Sequence, residues 1–94
     1  MSEKISKAEL PQRLKKIPEW EISKDRLVRT FEFDEFMEGI DFVNGVAEIA
    51  DGAHHHPDIL VKYNLVKLSL ITHDCGGISD RDFELASRVD TLID

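Results

Sequence analysis

Alternation of apolar and polar residues with a period of two marks the stretch Leu27-Val-Arg-Thr-Phe-Glu-Phe33, with Phe31 and Phe33 on the side of Leu27 and Val28 on the other. Trp20-Glu-Ile22 precedes it across a turn at Ser23-Lys-Asp-Arg26, so the two runs read as a β-hairpin. The period then changes. Asp34 offers an N-cap, and Phe36, Ile40, Val43, Ala47 and Ala50 share one face of a helix expected from about Glu35 to Asp51, with Gly52 as its C-terminal cap. Gly39 and Gly45 each weaken that helix by about 1 kcal/mol against Ala, so burial has to hold it in place.

Two β-prone runs follow, Ile59 to Tyr63 and Leu65 to Thr72, with Val66, Leu68 and Leu70 facing one way and Lys67 and Ser69 the other. Gly76-Gly77 ends the pair, and Ser79-Asp-Arg-Asp82 is a capping box in its acidic form that opens a last helix. On that helix Leu85, Ala86, Val89, Leu92 and Ile93, with Phe83 at the margin, cover an arc of roughly 180°, against the ~100° that packing on one sheet requires. The excess is expected to face a second copy. A shorter helix is expected from Ser6 to about Lys16, entered through Ser6 with Glu9 three positions on, and Pro18 separates it from the first strand.

The chain has 94 residues, the size of a single domain, here taken as 1–94. Its 41% apolar and 33% charged residues are those of an ordinary globular protein, and no apolar run approaches the ~20 residues that cross a bilayer. The first ten residues lack the apolar stretch of a secretory signal, and Cys75 is the one cysteine, which excludes an intrachain disulfide. A reducing cytoplasm is the expected location. The net charge of -7, with no Lys or Arg between Glu32 and Asp58, would repel phosphates and disfavours direct nucleic-acid binding.

All four histidines, His54, His55, His56 and His73, fall within one short window, three just beyond the long helix and the fourth at the end of a strand. Imidazoles donate and accept protons near neutral pH, so the cluster points to acid-base chemistry. Other readings compete with it. A polar loop can carry histidines without a task, and imidazoles with Asp can bind zinc or iron. Adjacent residues rarely aim at one ion, however, and neither H-E-x-x-H nor C-x-x-C is present. Cys75 as a nucleophile would want electropositive neighbours, and Asp74 stands beside it.

The stretch His55-His-Pro57, then Tyr63-Asn-x-Val66, Thr72-His-Asp-Cys-Gly-Gly77 and Ser79-x-x-Asp82 closely resembles the signature of the pterin-4a-carbinolamine dehydratases. The likeness runs from Asp51 to Asp82, and more loosely through Trp20 and the helix after Asp34. It implies an α+β fold, a four-stranded antiparallel sheet with helices packed on one face. It also implies catalytic roles for His55, His56 and His73. Trp20, Asp51, His54, Pro57, Thr72, Asp74 and Asp82 would support the site or its ligand, with Asp82 read first as a helix cap. Asp51 stands where the family commonly has Glu, and His54 makes the histidine pair a triplet.

The implied reaction is loss of water from a 4a-hydroxy-tetrahydropterin after an aromatic amino acid hydroxylase has used its cofactor. The pterin is then the substrate, and neither a metal nor another cofactor is called for. A homodimer or homotetramer, and a pterin-dependent hydroxylase as partner, are further expectations of the resemblance. So is an alternative function, because the family includes a dimerisation cofactor of a transcription factor, a non-catalytic binding module that would have no need of the histidines.

Overall fold

The computed structural model describes residues 3–94. Its elements in chain order are α1 (Leu10–Leu14), β1 (Glu21–Ser23), β2 (Arg26–Glu32), α2 (Phe36–Ala53), β3 (Asp58–Lys62), β4 (Leu65–Leu70), a 3-10 turn (His73–Cys75) and α3 (Asp80–Asp90). The strands form one antiparallel sheet in the order β1-β2-β4-β3. The helices cover one of its faces, giving the expected α+β architecture. Leu27 and Phe31 of β2 stand opposite Leu70 and Val66 of β4 on that inner face. They bury against Phe42 and Val46 of α2 and Leu85, Ala86 and Val89 of α3.

The first hairpin turns through Lys24 and Asp25, both left-handed at φ 52° and 62°. Two successive positive φ values give a turn whose twist matches that of the flanking strands, at a conformational cost borne mainly by Lys24, since Asp adopts this region more readily. The first helix is shorter than the pattern suggested and starts only at Leu10, with Pro11 in its opening turn. A proline is tolerated there because the first-turn N–H groups have no intrahelical partner, whereas deeper in a helix it breaks the ladder.

The long helix departs from expectation in two ways. It buries Gly39, Phe42, Val46 and Ala50, while Phe36 and Ala47 lie on the exposed side. Both stripes satisfy helical spacing, and the glycines decide between them. A Cβ on Gly39 would stand 3.4 Å from Phe33 and 3.5 Å from Val66, so this is the side where the helix closes on the sheet. The helix also begins one residue late, capped by a reciprocal Glu35–Glu38 box instead of Asp34, and it runs through Gly52.

The last helix begins as expected with the Ser79–Asp82 box. Its wide apolar arc, however, is absorbed within the chain: Phe83, Leu85, Ala86 and Val89 are all buried, and only Leu92 and Ile93, beyond the helix, are exposed. Even Leu92 is partly engaged, lying 3.1 Å from where a Cβ on Gly45 would be. The arc is wide because α3 packs against both the sheet and α2, which leaves only Leu92 and Ile93 of it open to a second copy.

Two outcomes test this packing. Replacing Lys24-Asp25 by Asn-Gly, the pair this turn favours, should raise the melting temperature by roughly 4–8 °C, the shift of about 1 kcal/mol in a domain of this size. Leu85→Glu should unfold the chain by circular dichroism. Losing a buried leucine costs about 2–5 kcal/mol and burying a carboxylate several more, together comparable to the roughly 5–15 kcal/mol that holds a domain folded. Leu92→Glu, at an exposed position, should fold.

Candidate active site

The end of α2 places the histidine triplet. His54 is left-handed (φ 54°, ψ 37°), its N–H donates to the Asp51 carbonyl at 3.2 Å, and the His55 N–H donates to the Ala50 carbonyl at 3.1 Å. This paired bonding is a Schellman motif with His54, not Gly52, as the left-handed residue. The chain therefore reverses sharply at His54, and His55 turns inward while His54 and His56 stay exposed.

His55 meets a buried polar chain. Its Nε2 lies 2.5 Å from Asp82 Oδ1, and the other carboxylate oxygen, Oδ2, accepts from the Thr72 hydroxyl at 2.8 Å and from the Ser79 N–H at 2.9 Å. The Thr72 and Ser79 hydroxyl oxygens are 2.6 Å apart. Since Thr72 spends its hydrogen on Asp82, the Ser79 hydroxyl donates to Thr72. Thr72, Ser79 and Asp82 are at most 1% exposed and His55 is 8% exposed. An ionised carboxylate only accepts, so its imidazole partner must donate. With Asp82 ionised, His55 Nε2 is the donor, and Nδ1 has no hydrogen-bond partner among the described residues. Asp82 does cap α3, as expected, and the same carboxylate also orients a histidine.

The remaining residues are arranged around this chain with looser contacts. His56 Nε2 is 3.3 Å from Asp51 Oδ1, an exposed pair in which both side chains remain solvated. His73 follows Thr72 at the start of the 3-10 turn and is exposed. The turn is closed by a Thr72–Gly77 bridge and by Gly76 in the left-handed region. Asp74 lies on it, 3.9 Å from Arg81. Pro57 is half-buried directly before β3. Cys75 lies against the Thr72 and Gly77 carbonyls at 3.5 and 3.6 Å. Among the described residues no three His, Cys, Asp or Glu side chains gather where one metal ion could be held.

Trp20 is not brought to the histidines. Its indole is 3% exposed, packs edge-on against Phe31 with centroids 6.1 Å apart, and donates to Asp90 at 2.8 Å. Asp90 ends the helix that Asp82 begins, about 12 Å away along its axis at 1.5 Å per residue. Arg29 donates to the same Asp90 oxygen at 2.7 Å, so Trp20 belongs to a core anchor at the opposite end of α3. Two contributors escaped the sequence pattern. Ser79 was legible as a cap but not as a donor to Thr72. Arg81, which donates to the His54 carbonyl at 3.0 Å, gave no signal, because its partner lies 27 residues away.

A histidine held by a buried carboxylate thus stands among segments that carry three exposed histidines, and imidazoles are side chains that can carry protons near neutral pH. The model of the family described as pterin 4 alpha carbinolamine dehydratase matches residues 3–92. A protein of Thermomicrobium roseum that carries the provisional name pterin-4-alpha-carbinolamine dehydratase is 47% identical over 95% of this chain and 96% of its own. One of Acidobacterium capsulatum with the same provisional name is 44% identical over 89% of this chain and 91% of its own. The chain belongs to the pterin carbinolamine dehydratase family.

Solved structures agree at the level of fold. A crystal structure described as a transcriptional coactivator/pterin dehydratase from Brucella melitensis superposes with a TM-score of 0.92 at 24% identity, over 97% of this chain and 99% of that one. A pterin dehydratase-like protein described as a RuBisCO assembly factor in the alpha-carboxysome superposes with a TM-score of 0.64 at 22% identity, over 78% of this chain and 84% of that one. No helix among the described residues is long and apolar enough to cross a membrane.

The buried chain makes a stability prediction. Asp82→Ala leaves the His55, Thr72 and Ser79 donors without their acceptor, at about 1–3 kcal/mol each. Urea unfolding should show a loss of at least about 3 kcal/mol. Asp82→Asn, which keeps the volume and one acceptor oxygen, should lose clearly less.

Proposed function

We propose that this protein dehydrates 4a-hydroxy-tetrahydropterin to the quinonoid dihydropterin, with its own histidines as the proton carriers. The observation that carries the reading is the buried Asp82 carboxylate holding His55 in the middle of a histidine triplet, in a chain of the pterin carbinolamine dehydratase family. The N5 lone pair of the substrate forms the C4a–N5 double bond as the C4a hydroxyl departs. One proton leaves N5, one joins the hydroxyl, and the products are the dihydropterin and water. The enzyme ends with the protons it began with.

His55 and His56 are assigned the two proton transfers, and His73 polarises the hydroxyl or holds the ring. With Nε2 of His55 committed to Asp82, its working atom is Nδ1. Positioned acid-base groups of this kind give about 10²–10⁴-fold in rate, enough for a reaction whose driving force lies in the substrate. The physiological setting in this reading is recycling of tetrahydrobiopterin in the cytoplasm, after an aromatic amino acid hydroxylase. A homodimer or homotetramer is the accompanying assembly, and the exposed Leu92 and Ile93, with Phe36 and Met37 of α2, offer apolar surface for it.

The test follows the absorbance of freshly made 4a-hydroxy-tetrahydropterin. Protein stripped with a chelator should accelerate its conversion, and activity that disappears on chelation and returns with zinc or iron would overturn the metal-free reading. His56→Ala and His73→Ala should each lower turnover at least about tenfold, and together approach the uncatalysed rate. His54→Ala should change it little, because the His54 contribution to the fold lies in its backbone.

A further inference from the structure

The segments that carry the three assigned histidines come from distant parts of the chain. One is the end of α2 with His54 to His56, the other the 3-10 turn with His73 to Cys75. The hydrogen bond from His55 to Asp82 fixes the first segment to α3, and Thr72 fixes the root of the second to the same carboxylate. Beyond these anchors the side chains of His56 and His73 are exposed, which leaves room for a further tie between the two segments.

Arg81 occupies that position. It is the second residue of α3, and its side chain is 35% exposed. Its NH2 donates to the His54 carbonyl at 3.0 Å, and its NH1 stands 3.9 Å from Asp74 Oδ2, an ion pair rather than a hydrogen bond. The left-handed turn at His54 takes that carbonyl out of the helical ladder, and the last turn of α2 contains no basic residue of its own. The cation that completes this helix end therefore comes from α3, where it meets the partial negative charge of the terminal carbonyls. One planar guanidinium thereby touches both histidine-bearing segments, two residues before His56 on one and one residue after His73 on the other.

We infer that Arg81 is a positioning residue that sets the spacing of His56 and His73 by clamping the His54 carbonyl and the Asp74 carboxylate at once. This rests on the dehydratase reading only for its consequence in turnover. The clamp itself is a statement about the two segments. A guanidinium carries divergent donors in a rigid plane, whereas an ammonium is a single point at the end of a flexible stem, so lysine can serve either partner but not both.

Hydrogen exchange and kinetics on Arg81→Lys and Arg81→Ala test the inference separately. In both variants the amides of His55 and Gly76, which hydrogen-bond to Ala50 and Thr72, should exchange about tenfold faster than in the unaltered protein, while those of β2 and β4 keep their rates. Faster exchange in one segment alone, or in neither, would overturn the clamp whatever the activity. In the dehydration assay kcat should fall about tenfold in both variants with KM within about threefold, since the groups are displaced rather than removed. Asp74→Asn should reproduce part of that loss and add little to it in combination with Arg81→Lys. A rise in KM with kcat unchanged would make Arg81 a substrate contact, and full activity in Arg81→Lys would reduce it to a surface charge; either would sink the proposal. If the unaltered protein shows no dehydration at all, the exchange rates still decide the clamp.

Discussion

The carboxylate of Asp82 is the interaction on which the rest of this structure depends. It is fully buried, and a buried charge is tolerated only when its lone pairs are filled. Here they are filled by a helix-cap N–H, a strand-end hydroxyl and an imidazole, which come from three separate segments. None of these donors could be exchanged for an apolar group without leaving the charge exposed to low dielectric. The helix start, the end of β4 and the end of α2 are thus tied to one point. Among the described residues no buried side-chain nitrogen or oxygen is left without a partner.

That economy joins stability and chemistry in the same atoms. Capping α3 requires an acceptor at the third helical position, and Asp82 supplies one oxygen for it. The other oxygen is left to meet His55 and settle which of its nitrogens bears hydrogen. At the far end of α3 the same logic recurs with Asp90, which accepts from Trp20 and Arg29 and locks β2 and the approach to β1 onto the helix. The Arg29 guanidinium also lies 4.3 Å from the centre of the Phe31 ring. One end of the helix holds a histidine, and the other holds the core.

Much of this was legible in the sequence. The strands, their facing and the Ser79–Asp82 box are written in local patterns, and the motif residues from Asp51 to Asp82 pointed to the site and the family. What escaped was decided by partners distant in sequence. The buried face of α2 differs from its neighbouring stripe only by a rotation, and Gly39 reveals it because Phe33 and Val66 approach there. The α2 cap moved from Gly52 to His54 because a Schellman motif is set by where the following chain must go, and His55 must reach Asp82. The arc of α3 looked too wide for one sheet because α2 as its second neighbour could not be foreseen. Trp20 matched the family loosely and went to the core because Asp90 offered its indole a partner.

The shape of the site fits the modest demands of the proposed chemistry. His56 and His73 are exposed, and the crevice of about 50 Å³ beside His55, lined by Ala53, Arg81, Glu84, Leu85 and Arg88, includes neither of them. A reaction that depended on excluding water, or on stabilising a large developing charge in low dielectric, would be poorly served by such a surface. Dehydration of a carbinolamine is different, because the electron pair that expels the hydroxyl already belongs to the substrate, and water is itself the product. The protein then needs to contribute well-placed proton carriers more than enclosure. Its investment lies accordingly in the network that fixes His55 from beneath, while His56 and His73 stay open to solvent.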